Sequence, residues 1–218
     1  MVDPQQDLEP YLEAAAQKNL RITHIFETHV QADHVSGAPA LAEATRAPIL
    51  VHASAGVRFP HVPLESDEQH EMGNVRITAL HTPGHTPEGM SFLVTDRSRA
   101  AEPWFVLTGD TLFSGGVGRP DLLGDDSETA LAEQLYDSLY GTLLKLPDHI
   151  EVYPAHFGGA ACGKGLSGKP ASTIGFERRF NPALQFTSKS EFVRFVLTDL
   201  PPQPASFAEN RRRNLGLE

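Results

Sequence analysis

Apolar and polar residues follow one another along this chain in two rhythms, one helical and one alternating, and their order predicts a layered α/β protein. Leu8, Tyr11, Leu12, Ala15 and Ala16 recur at helical spacing behind Asp7, which suits a cap, so a helix is predicted over residues 7–19. The apolar run 22–26 reads as a short buried strand. Gly37-Ala38-Pro39 opens a second helix to about Arg46, proline being tolerated in a first turn, and residues 48–52 read as another strand. Residues 53–73 carry several Pro, Gly and acidic side chains and are predicted to be mostly loop, with His52, His61 and His70 solvated around it. Strands are expected over 75–80, where polar and apolar positions alternate, and over 90–95 and 104–107. Ser127 is expected to cap a long amphipathic helix to about Leu146, with Leu131, Leu135, Leu139 and Leu143 on one face and Pro147 as its stop. A strand over 150–153 and a helix over 188–200, with Phe192, Phe195 and Val196 on its inner face, complete the pattern.

Composition narrows the class. A length of 218 residues suits one large domain, read here as 1–218, and 40% hydrophobic residues support an ordinary core. A net charge of −10 argues against a nucleic-acid surface and against tight binding to anionic membrane. No apolar run approaches the ~18 residues of a membrane span. The first ten residues are acidic and polar, unlike a signal peptide. Cys162 is the only cysteine, which excludes an internal disulfide and disfavours a thiolate metal cluster. A soluble cytoplasmic protein is expected. Arg211-Arg212-Arg213 reads as a solvated terminus or a linker.

The chemistry concentrates in four segments, each placed just beyond a predicted strand. The first is Thr28-His29-Val30-Gln31-Ala32-Asp33-His34. The second is His81-Thr82-Pro83-Gly84-His85-Thr86-Pro87-Glu88-Gly89, where two prolines and two glycines stiffen a loop around His85, while His81 sits closer to the strand and reads as structural. The third is Leu107-Thr108-Gly109-Asp110-Thr111-Leu112, and the fourth Val152-Tyr153-Pro154-Ala155-His156-Phe157. Imidazole and carboxylate at four strand ends point to a metal site with open coordination positions.

In this order the segments resemble the metallo-β-lactamase superfamily, whose signature is H-x-H-x-D-H, then a lone His, an Asp after Gly, and a His after Pro-Ala. The resemblance covers nearly the whole chain. It implies an αββα sandwich with metal at the strand ends. The wording TPGHTPEG, LTGDTLF, GRPDL and VYPAH is similar to the glyoxalase II and persulfide dioxygenase branch. The runs Gly159-Ala160-Ala161-Cys162-Gly163, Ser172-Thr173-Ile174-Gly175-Phe176-Glu177-Arg178-Arg179 and Asn181-Pro182-Ala183-Leu184 narrow it to bacterial persulfide dioxygenase domains of the rhodanese-fused type.

Two departures bear on what the resemblance implies. Gln31 stands where the signature has its second His, a ligand in the two-zinc hydrolases. The dioxygenases use one Fe(II), held by the residues that correspond to His29, His85 and Asp110. Asp33, His34 and His156 are then expected as groups that orient ligands and water. The chain also starts at a point where family members have already formed a strand hairpin. That makes the expected fold a sandwich lacking its first N-terminal strands, either a shortened product or a homodimer that covers the gap.

The implied reaction is oxidation of a thiol persulfide, of glutathione or coenzyme A type, by O2 to sulfite and free thiol. Lys164, Lys169, Arg178 and Arg179 are candidate partners for the anionic carrier; Cys162 and Tyr153 are candidate pocket residues. The alternatives are a glyoxalase II-type thioester hydrolase using Zn(II), which Gln31 weakens, and a non-catalytic scaffold that binds a partner through an open sheet edge.

Overall fold

The computed structural model describes residues 1–124 and 127–217. The chain runs through α1 (Glu9–Gln17), β1 (Ile25–Phe26), α2 (Ala38–Thr45), β2 (Ile49–His52), β3 (Val62–Leu64), β4 (Gln69–Met72), β5 (Val75–His81) and β6 (Met90–Asp96). It continues through β7 (Phe105–Gly109), β8 (Leu112–Phe113), β9 (Gly116–Gly118), α3 (Glu128–Gly141), β10 (Glu151–Pro154), β11 (Gly163–Lys164) and β12 (Ser172–Thr173). It ends with α4 (Ile174–Phe180), α5 (Lys189–Leu197) and α6 (Ser206–Asn214).

Two sheets lie face to face. One has the parallel order β1-β2-β3; the other is six-stranded, in the order β12-β10-β7-β6-β5-β4. Phe26, Leu50 and Leu64 from the first meet Ile77, Ala79, Met90, Phe92 and Val94 from the second, burying the apolar side of both. Outside the first sheet, Leu8 of the α1 entry and Ala38 and Leu41 of α2 cover Ile25 and Ile49. Outside the second, Leu131, Leu135 and Leu139 of α3 and Phe192 and Val196 of α5 cover Val106 and Val152. This helix–sheet–sheet–helix layering is the expected αββα sandwich. Residues 1–3 run along β1, with Val2 bridged in parallel to Phe26. No helix among the described residues is long and apolar enough to cross a membrane.

Several expectations need correction. The stretch read as loop contains β3 and β4. His52, expected in solvent, is 7% exposed and stacks on His81 with ring centroids 3.9 Å apart. The Ser127 hydroxyl makes no capping bond and donates instead to the Gly124 carbonyl at 3.0 Å. The long helix stops at Gly141 and yields to a tight turn over Leu143–Lys145. The segment around Arg211 is not a solvated tail: it forms α6, and α6 docks on the first metal-like loop.

The strand order gathers all four chemical segments at one edge. β7 and β10 are parallel neighbours, so Asp110 and His156, which follow them, emerge side by side. β5 pairs antiparallel with β6, placing the His85 loop between their ends. The Met90 N–H donates to the Thr28 carbonyl at 2.7 Å and draws the end of β1 to the same place.

Candidate metal centre

His29, His85 and Asp110 are each no more than 3% exposed, and one ligand atom from each lies within 4.8 Å of the others. Asp110 Oδ2 is 3.3 Å from His85 Nε2 and 3.9 Å from His29 Nε2. Both Asp110 Oδ2 and His85 Nε2 are buried without a hydrogen-bond partner among the described residues. Buried polar atoms are almost always partnered. Orphaned lone pairs that converge on one point are what a metal ion would satisfy.

The imidazoles are held in the tautomer that a metal needs. His85 Nδ1–H donates to the Arg119 carbonyl at 2.8 Å, leaving the Nε2 lone pair free. The Thr28 hydroxyl donates to Asp3 Oδ2 at 2.8 Å, so its oxygen accepts the His29 Nδ1–H at 2.9 Å. Burial lowers both histidines, His29 to about 3, and keeps them neutral. Burial would raise Asp110, but the His156 hydrogen bond and the imidazoles bring it below its ordinary value. Each ligand is thus already in its metal-binding state.

A second set adjoins the first. His156 Nδ1 donates to Asp110 Oδ1 at 2.7 Å and Nε2 to Asp33 Oδ2 at 2.8 Å, while His34 Nδ1 donates to Asp33 Oδ1 at 3.0 Å. Burial would lower His156, yet its two carboxylate partners lift it to about 10. The structure therefore joins Asp33, His34 and His156 into one hydrogen-bonded chain that leads into Asp110. The Gln31 amide is buried with neither its nitrogen nor its oxygen partnered. It lines a cavity of about 230 Å³ together with His34, His156 and Tyr153.

Cys162 is 1% exposed and packs with Ala32, Phe113 and Phe207, while its sulfur lies within ligand reach of Asp110 and His156. Burial, reinforced by the charges of Asp110 and Asp33, pushes its thiol far up, so it is a proton-bearing wall of the site. The expected cations are not brought to the cluster. Arg178 bonds the Leu144 and Leu146 carbonyls and pairs with Asp148. Lys164 donates to the Thr198 carbonyl at 3.0 Å, and Arg179 lies over the Phe180 ring. None of the three lines the cavities at the metal-capable residues.

Local backbone chemistry sets these positions. Gly109 has φ +51°, and a side chain there would run into Thr28, so only glycine lets β7 deliver Asp110 this close to the His29 loop. At Gly118 a Cβ would sit 1.9 Å from the Asp110 carbonyl oxygen and 3.0 Å from His85 Cβ. Gly118→Ala should therefore destabilise the fold by about 3 kcal/mol or more, the upper end of overpacking, and lower metal content as well. A urea midpoint and elemental analysis check both. Sequence reasoning passed over Thr28, Arg119 and Asp3. Thr28 is one residue from a ligand and Arg119 lies inside the GRPDL run, whereas nothing in its sequence position marks Asp3.

The family model of the metallo-β-lactamase superfamily matches residues 1–156. The chain belongs to that superfamily. It is 28% identical to the bovine (Bos taurus) mitochondrial persulfide dioxygenase ETHE1, over 97% of this chain and 79% of that protein. It is 31% identical to a hydroxyacylglutathione hydrolase of Polaromonas sp., over 93% of this chain and 83% of that protein. A Staphylococcus aureus metallo-beta-lactamase crystal structure superposes with a TM-score of 0.92 at 35% identity, covering 98% of this chain; the chain spans 64% of that protein's length. ETHE1 from Myxococcus xanthus superposes with a TM-score of 0.80 at 32% identity, covering 98% of this chain and 87% of that one. These superfamily relatives support an enzyme with a metal-binding site.

Proposed function

We propose that this chain is an iron-dependent persulfide dioxygenase acting on a low-molecular-weight thiol persulfide. The observation that carries the reading is the buried face of two neutral imidazoles and one ionised carboxylate, with orphaned lone pairs that converge. Such a face suits non-haem Fe(II) with open positions, and the likeness to proteins named persulfide dioxygenase supports chemistry with O2, which a redox-inert zinc ion does not supply. The balance is RSSH + O2 + H2O → RSH + SO3²⁻ + 2H⁺. Bound Fe(II) would supply the reactivity toward O2 that side chains lack.

The chain's own groups do the rest. His29, His85 and Asp110 hold one ion. His156 keeps a proton on Nε2 against Asp33, beside the reaction edge, and steadies Asp110 through Nδ1. His34 orients Asp33. Cys162, Phe113 and Ala32 keep water from the back of the site. The carrier is of glutathione or coenzyme A type, with Lys164 and Arg179 as the proposed contacts for its carboxylates or phosphates. Arg178 would first have to release its helix-end carbonyls. An acidic chain with one cysteine suits the cytoplasm, where such thiols are kept reduced.

A second reading, zinc-dependent thioester hydrolysis, draws on the assembly of Asp33, His34 and His156 next to Asp110 and on the hydrolase relative. There a metal would lower the pKa of a water nucleophile. Gln31 in place of a ligand His counts against it.

Oxygen uptake separates the two. Protein loaded anaerobically with Fe(II) should consume O2 on addition of glutathione persulfide and release a matching amount of sulfite. His85→Ala should abolish both. Folded, iron-bound protein that consumes no O2 with glutathione or coenzyme A persulfide, yet cleaves a glutathione thioester when loaded with zinc, would transfer the assignment to the hydrolase.

A further inference from the structure

The inner side of α6 is polar where it meets the protein. Residues 29–35 form no regular strand or helix, so their backbone groups need partners from elsewhere. Side chains of α6 provide them. Asn214 Nδ2 donates to the carbonyls of Gln31 and His34, both at 2.8 Å, and Asn214 Oδ1 accepts the Ser36 N–H at 2.9 Å. Asn210 Nδ2 donates to the Ala32 carbonyl at 2.9 Å. Arg211 Nη1 donates to the Val30 carbonyl at 3.2 Å and to Glu88 Oε1 at 3.3 Å, and the same Glu88 oxygen accepts the Val30 N–H at 3.1 Å.

Glu88 belongs to the His85 loop and is 2% exposed. The Arg211–Glu88–Val30 node therefore ties the loop carrying His29 to the loop carrying His85. Apolar contacts flank it: Phe207 sits with Ala32, Phe113 and Cys162, and Leu215 packs on the cluster of Val30, Val51, Ala55 and Val57.

We propose that α6 is a latch for the metal centre, with Asn214, Arg211 and Asn210 as positioning residues. Docked, it fixes the backbone from Val30 to Ser36 and holds the His29 and His85 loops together. Linkage then requires that bound metal tighten the docking of α6 by the same factor by which docking tightens the metal. The proposal rests on the reading that His29, His85 and Asp110 hold an ion.

The test uses Zn(II) alone, titrated in competition with a chromophoric chelator, and hydrogen exchange along α6. Asn214→Asp keeps the acceptor for Ser36 N–H but loses both donated bonds. It should weaken Zn(II) binding about 10–100-fold, the range for groups that orient ligands from behind. Arg211→Met paired with Glu88→Gln removes the node without stranding a buried carboxylate and should weaken binding comparably. Asn210→Ala removes one bond and should cost about fivefold, which preserves the test if the first variant does not fold. In the unmodified chain, Zn(II) should slow exchange of the amides of residues 206–214. A purely structural helix would lower the stability of these variants while the folded protein kept its affinity. Folded variants binding Zn(II) within about twofold of the unmodified chain would overturn the latch alone, as would exchange in α6 that ignores the metal. An unmodified chain that takes up no Zn(II) would overturn the metal reading, and the latch with it.

Discussion

Asp110→Asn should leave the protein folded and almost free of bound metal. Asp110 is the one group that serves both clusters, with Oδ2 facing His85 and His29 and Oδ1 accepting from His156. Asparagine has the same shape without the charge. His156 Nδ1–H can still donate to the amide oxygen, and that turns the NH2 toward His85 Nε2, which has no partner now. A hydrogen bond then closes the place where the ion would sit. One of the three ligands is lost and a second is occupied, so affinity should fall by more than the 10–100-fold typical of outer groups, to well beyond about 100-fold. Apo stability should fall, because protonated His156 loses one of its two charge partners, and the loss of the unsatisfied acceptor facing His85 offsets this only in part. Elemental analysis after anaerobic Fe(II) loading and desalting reads the first effect; thermal unfolding of the apo protein reads the second. Full metal retention by Asp110→Asn would mean that His29, His85 and Asp110 are not the ligand set.

How far the sequence reading reached follows from what each signal depends on. The convergence of His29, His85, Asp110, Asp33, His34 and His156 is legible because each lies in a segment that follows a strand, and those strands show in apolar runs. β3 and β4 were not legible. Val62-Pro63-Leu64 contains a proline and two exposed positions, and Gln69-His70-Glu71-Met72 has no buried residue, so neither carries a core-facing alternation. Both lie at sheet edges, with Leu64 the one fully buried side chain between them.

α6 escaped for a sharper reason. Its docked side is built mainly from Asn210, Arg211 and Asn214, with Phe207 the one buried apolar residue within the helix, so hydrophobic periodicity has little to detect. A polar helix becomes inward-facing only when it has a loop full of unpaired carbonyls to satisfy, and that need is a tertiary fact. For Arg178 the limit is of the opposite kind. Arg178 stood in a family-like run, but at the end of α4 its charge is drawn to helix-end carbonyls and Asp148. His52 was judged by the Pro- and Gly-rich residues after it, whereas its burial comes from the stack on His81 across the fold.

Proton release on metal loading should distinguish one ion from two. Near neutral pH, His29 with its pKa at about 3 and His85 below its ordinary value are already unprotonated, and Asp110 is ionised. One ion in that set should displace almost no protons. A second ion held by Asp33, His34 and His156 must take the Nε2 lone pair of His156, whose pKa near 10 means that it carries a proton there. That ion should release about one proton per chain. Titration calorimetry in buffers of different ionisation enthalpy counts the protons directly.

The same groups set the pH profile of the apo protein. His29 falls from 6.5 to about 3 on folding, so its stabilising contribution is complete above 6.5 and is lost as pH drops toward 3. His156 rises from 6.5 to about 10, so its contribution is complete below 6.5 and is lost as pH climbs through 10. Each changes stability by about 1.4 kcal/mol per pH unit inside its window, with opposite sign, so the two contributions meet near 6.5. A bound ion removes the acid limb due to His29 only by competing with protons for Nε2, so metal should shift the acid midpoint downward. With one ion the alkaline limb should persist but begin at lower pH, because a cation on Asp110 offsets part of the charge that lifts His156, while Asp33 still holds its proton. With two ions it should disappear, because His156 has none left to lose. An alkaline limb that survives metal binding, together with near-zero proton release, is the pattern the dioxygenase reading requires; its loss would favour the two-metal hydrolase.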